Sequence, residues 1–271
     1  MRFLLLQTFR VIRYEFRESL FYCLYRIFVA IILLYYISYI VIDECGQTTS
    51  NLGFLDCIVY TFRGTLPYNR NSNQPFTLPI LYILFQSYLL ILLNGVVSKS
   101  NIAYCKQVLL FTKSREIWWI GKLWIGFIYT ILYFLLYILL LWGVYQKKYS
   151  FIWKGNGTEL WGVDFSSLPP SSLALALLLP LFASIANIVM LFTLELIFSQ
   201  IIGFLITMGL LLLSSYSQNS LFLGNYMMFI RTDILTEQAL SLNIGYLVIT
   251  IYILIFFFSG FLYMKKTDIL V

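Results

Sequence analysis

The chain has 271 residues, of which 61% are hydrophobic, 19% aromatic and 11% charged, with a mean hydropathy of +0.85. That much apolar surface exceeds what one soluble core hides, which excludes an ordinary water-soluble domain and makes lipid the solvent for much of the molecule. The formal charge of +6 reads as topology bias and attraction to anionic headgroups, and no nucleic-acid partner is expected.

The apolar runs are continuous, whereas a β-barrel would alternate over segments of ~10 residues. They predict an all-α polytopic membrane protein, a single transmembrane domain over 1–271 with six transmembrane helices. Residues 1–20 place Leu5, Phe9, Ile12, Phe16 and Leu20 on one helical stripe and Arg10, Arg13 and Arg17 on its neighbour. That pattern predicts a basic amphipathic helix in the membrane interface, with a plain extension of the first span as the alternative. The first span covers Ile27–Ile42, reaching back towards Leu20 if Arg26 snorkels. No small-residue cleavage site follows the basic start, so this helix is expected to stay in the mature protein.

The second span is expected over Phe76–Ser98, the third over Leu123–Tyr145 and the fourth over Leu173–Leu194. Pro169 and Pro170 mark the loop ahead of the fourth, and Pro180 is a possible kink within it. Ile201–Tyr216 and Ile244–Met264 complete the six. Between Asp164 and Arg231 the only charge is Glu195, so a tight turn between residues 195 and 200 must separate the fourth and fifth spans. Residues 217–243 form the expected external loop ahead of the last span.

An inward N-terminus puts twelve of the 18 basic residues on the cytoplasmic side, among them Arg10, Arg13, Lys106, Lys113, Lys122 and Lys265. The positive-inside rule therefore predicts that both termini are cytoplasmic in a multi-pass plasma-membrane protein, most simply bacterial. The six tryptophans, Trp118 to Trp161, cluster at the ends of the third span or in its following loop, as interfacial anchors do.

Histidine is absent, which excludes Ser-His and Cys-His nucleophilic sites, imidazole metal sites and His proton relays. Neither a phosphate-binding loop nor a dinucleotide fingerprint occurs, so the chain is not expected to be an enzyme or to carry a metal or cofactor. Cys45 and Cys57 share the first external loop, where a disulfide and two thiols are both compatible. Asn156 to Thr158 matches a glycosylation sequon, to which no function is assigned.

The segment 99–122 mixes exposed charge with Val108, Leu109, Leu110 and Phe111 and has room for a short helix on the membrane face. A solvated positive-inside loop is the plain alternative. Within it, Val108 to Lys122 (VLLFTKSREIWWIGK) resembles the stretch between the second and third helices of type-2 ATP-binding-cassette permeases. Gly260 to Ile269 (GFLYMKKTDI) is similar to that family's basic C-terminal end. The turn after the fourth span departs from the pattern, being nearly bare apart from Glu195.

The resemblance implies a membrane subunit that pairs with a second permease, identical or homologous, and sits on two separate ATPase subunits that bind ATP and Mg²⁺. Segment 99–122 would be the cytoplasmic coupling segment, with Lys106, Lys113, Arg115 and Glu116 at the ATPase contact. The apolar stretch Leu221 to Ile230 would match the partly embedded helices before the last span. Tyr35, Tyr39, Phe85 and Tyr88 are candidates to line a cavity for hydrophobic or amphipathic cargo, such as an antimicrobial peptide or drug. Ordinary packing and lipid contact is the plainer reading of each. Glu195, an acid in an apolar stretch, is a functional candidate, against an interface-exposed carboxylate at the helix end. A scaffold or sensor that binds a cytoplasmic partner without transport is the alternative function.

Overall fold

The computed structural model describes residues 2–48, 52–68, 76–97, 115–155, 169–235 and 239–266. Within these the chain is helical, and its β-type pairing is one isolated bridge between Thr232 and Leu240. The elements are α1 (Arg2–Thr48), α2 (Phe54–Thr61), α3 (Ile80–Leu93), α4 (Arg115–Lys148), α5 (Pro170–Ile197), α6 (Gln200–Tyr216), α7 (Leu223–Tyr226), a 3-10 turn (Phe229–Arg231) and α8 (Leu242–Lys266). Among the described residues four segments are long and apolar enough to cross a membrane: Glu15–Thr48, Glu116–Lys148, Pro170–Ile197 and Leu242–Lys266. They mark the protein as membrane-embedded.

Local chemistry sets the helix ends. Pro170 opens α5, where its missing N–H is no loss. The expected turn between the fourth and fifth spans is there: α5 stops at Ile197, and the Ser199 hydroxyl caps α6 by accepting from the Ile202 N–H at 3.3 Å. Lys147 and Lys148 lie in the last turn of α4, favourable to the helix dipole. α5 continues through Pro180, whose carbonyl accepts from the Ser184 hydroxyl at 2.7 Å.

Three expected boundaries are corrected. The separate interfacial helix over 1–20 is instead the start of one unbroken helix, because no Gly or Pro interrupts residues 2–45. The third span begins eight residues earlier than expected, so residues 115–122 of the segment read as a coupling element are the first turns of α4. Where the second span is expected, α3 has only 14 residues, about 21 Å, short of a hydrocarbon core of ~30 Å.

α5 is the central helix, with every side chain from Ala183 to Thr193 buried. α1 lies along α4, and α8 lies along α5. The outer face of α1 (Tyr25, Phe28, Ile32, Tyr36) is exposed, as suits lipid or a neighbouring helix.

The helices meet at two polar ends. The base gathers Glu15, Asn94, Lys122 and Glu195. The cap gathers α2, the strap 62–68, α7 and the 3-10 turn, joined by backbone bonds from Phe229 N–H to Phe62 O (2.8 Å) and Ile230 N–H to Arg63 O (3.0 Å).

Candidate functional site

The site is built around the place where α3 stops. The Asn94 N–H still reaches Leu90 O at 2.8 Å, but Gly95 turns into the left-handed region at φ +84°. A Cβ at residue 95 would lie 2.5 Å from Nε2 of Gln200 and 3.0 Å from Oη of Tyr22, so glycine answers both backbone and space here. The chain continues as non-helical peptide, Asn94 to Val97, buried within the bundle apart from half-buried Asn94. Irregular backbone at membrane depth persists only when its polar groups are satisfied by protein.

Side chains from three helices satisfy them. Arg26 of α1 donates through Nη1 to the carbonyls of Ile91 (2.9 Å), Leu92 (3.3 Å) and Asn94 (2.6 Å), and through Nη2 to the Tyr22 hydroxyl (2.7 Å). Its guanidinium therefore caps the carbonyl end of α3. Glu195 of α5 accepts from the Gly95 N–H at 2.9 Å, with the Val97 amide also facing its carboxylate. Lys122 of α4 donates to Val96 O at 3.1 Å and pairs with Glu15 of α1 at 2.5 Å; both side chains are at most 4% exposed. The ammonium also lies 5.4 Å over the Trp118 ring.

Two cations and two anions thus surround four non-helical residues. A buried ion pair adds little net stability, but leaving one partner alone costs about 3–5 kcal/mol. The arrangement fixes the peptide that leads into segment 98–114 to α1, α4 and α5, while Gly95 abuts Gln200 at the start of α6.

Helical spacing delivers these groups. Glu15, Ser19, Tyr22 and Arg26 recur every three or four residues on one face of α1, and Trp118 and Lys122 stand one turn apart on α4. Glu15, Arg26, Lys122 and Gly95 were missed as site residues. Their signals are that polar stripe and an Asn-Gly pair inside an apolar run.

The expected site residues fall apart in space. Lys106 and Lys113 lie outside the described residues, as does the side chain of Arg115, which begins α4; Glu116 is exposed. Glu195 is buried, which corrects the interface-exposed alternative. Phe85 sits in an aromatic cluster, 4.9 Å from Tyr133 and 5.1 Å from Phe134 and Tyr137 between ring centres. The Tyr88 hydroxyl donates to Arg26 O at 2.7 Å. Tyr35 and Tyr39 are exposed on the outer face of α1, so the four do not line one cavity.

At the cap, Arg231 is 1% exposed and holds the carbonyl end of α6. Its Nε donates to Thr65 O (2.8 Å) and its Nη2 to Ser215 O (2.5 Å), while Nη1 reaches Ser217 O (3.2 Å), Ser214 O and the Asn225 side chain. Burial pulls its pKa down to about 10, so the guanidinium remains charged at neutral pH. The Cys45 and Cys57 side chains, on α1 and α2, are buried within hydrogen-bonding reach of each other without a disulfide between them. Cys45 thus belongs to α1 and not to the external loop. Among the described residues no group of three or more His, Cys, Asp or Glu could hold a metal ion.

Set against known protein families, curated proteins and solved structures, the chain has no match.

Proposed function

We propose that the chain is the membrane-spanning permease subunit of an ATP-driven exporter, which moves a hydrophobic or amphipathic cargo across the cytoplasmic membrane. It crosses six times with both termini in the cytoplasm, the two shorter apolar helices α3 and α6 completing the set. ATP and Mg²⁺ are bound by separate ATPase subunits that dock on segment 99–122. A second permease, identical or homologous, packs against this one.

The observation that carries this reading is the grip on Asn94 to Val97. That peptide leads directly into the segment to which the ATPase would dock. Arg26, Lys122 and Glu195 tie it to three helices, so a push on the segment reaches α1, α4 and α5 through short polar contacts. A coupling device needs such an element, whose equilibrium the motor can bias. The exposed outer face of α1, with Tyr35 and Tyr39, offers the second permease a surface whose hydroxyls want partners in lipid.

Co-purification of the full chain tests the proposal. A separate ATPase should accompany it, with a turnover that changes on assembly, and Arg115→Glu should weaken the association. Absence of any ATPase, or labelling of segment 99–122 from outside the cell, would contradict it and favour the scaffold or sensor alternative.

A further inference from the structure

The cap contains a cavity of about 660 Å³, within the ~300–1,000 Å³ range of small-molecule sites. One side of it is polar: Glu44 of α1 and Arg63 of the strap flank Tyr60, whose hydroxyl donates to Glu44 at 2.8 Å. Apart from Thr61, Thr65 and Thr77 the rest is largely apolar, and its rim is unusual for a water-filled mouth. Leu66, Leu78 and Ile80 are 60%, 55% and 65% exposed there. Tyr68 and Phe76, also lining the cavity, meet Tyr216 at ring distances of 5.0 and 5.5 Å, an aromatic group at the end of α6. Aromatic rings at helix ends mark the interfacial depth, where lipid headgroups sit.

We propose that this cavity holds the headgroup of a zwitterionic phospholipid, with Arg63 on its phosphate and Glu44 on its ammonium. A guanidinium matches phosphate geometry, and a carboxylate matches an ammonium. One of each on the same wall selects a headgroup carrying both charges over one carrying a phosphate alone. The exposed aliphatic rim receives the start of the acyl chains, which continue into the bilayer. The cavity is too small for a whole lipid whose chains reach the middle of a ~30 Å core, so it reads the headgroup and leaves the tails outside. The inference needs only that the protein is membrane-embedded, and its failure would leave the ATP-driven reading untouched.

Native mass spectrometry of the delipidated full chain tests it. Phosphatidylethanolamine and phosphatidylglycerol with identical acyl chains are offered at equal concentration. The expected result is retention of phosphatidylethanolamine about fivefold over phosphatidylglycerol, a difference of the size one exposed ion pair supplies. Glu44→Gln should erase the preference, and Arg63→Gln should lower retention of both lipids. Equal retention of the two lipids, indifferent to both substitutions, would overturn the proposal. Binding of O-phosphoethanolamine as tight as that of the lipid would overturn the lipid assignment, because the rim would then contribute nothing. Should a charge variant fail to fold, Ile40→Trp fills the cavity with both charges kept. Loss of the phosphatidylethanolamine adduct would support the site, and undiminished retention would overturn it.

Discussion

The base and the cap each set a cation against the carbonyl end of a helix, and they do so with opposite chemistry. At the base, Arg26 and Lys122 face Glu15 and Glu195, and the four charges come from α1, α4 and α5. At the cap, among the described residues, Arg231 has no carboxylate in its hydrogen-bond partners, only carbonyls and the Asn225 amide. A balanced set of charges spread over separate helices depends on those helices keeping their places. A single cation among short loops and one helix end is a local brace. The difference teaches where movement is expensive to tolerate, and therefore where it can be transmitted.

The largest effect should come from unbalancing the base. Lys122→Met leaves Glu15 buried without its cation and should lower stability by about 3–5 kcal/mol. Thermal unfolding in detergent would register this. The double variant Glu15→Gln with Lys122→Met should recover most of the loss, since a neutral pair needs no compensation. A double variant no more stable than the single would break the ion-pair account. Next comes Arg231→Met, which strands several buried acceptors and should cost about 3 kcal/mol. Its loss of hydrogen-exchange protection should stay within residues 62–68 and 214–231. Spread of that loss to the base would erase the contrast between the two ends.

Gly95→Ala forces a side chain into a left-handed position already bounded by Gln200 and Tyr22, and should cost about 1–3 kcal/mol. The smallest effect concerns Asp56 in α2, whose carboxylate accepts from the Gly53 N–H at 3.0 Å. Burial raises its pKa above the ordinary 3.8. The folded state therefore holds the proton more tightly than the unfolded chain. Stability from this group grows as pH falls through the raised pKa towards 3.8, and is lost as pH rises. Asp56→Asn keeps an acceptor for Gly53 and should flatten that slope, read from unfolding midpoints across the acid range.

The helices were legible because long apolar runs in a chain this hydrophobic have few other fates. The turn before α6 was legible for the same reason, since no single helix can use the stretch from Leu173 to Tyr216. What was not legible depended on distance in space. Arg26 looks like a residue reaching for the interface, and only the position of Leu92 and Asn94 reveals it as a cap on another helix. Lys122 reads as one more positive-inside charge until Glu15, 107 residues earlier, is placed against it. Glu195 was singled out by its isolation, yet its burial follows from the break at Gly95. Tyr35 and Phe85 look alike in sequence, but one faces outward and the other lies at the centre of an aromatic cluster.

The proposed coupling through the base is tested most directly by the Glu15→Gln, Lys122→Met double variant assembled with the proposed ATPase partner in proteoliposomes. The account predicts a folded complex that still hydrolyses ATP but no longer moves cargo in step with it, because Val96 has lost its tie to α4. Cargo movement per ATP equal to that of the unaltered protein would contradict it.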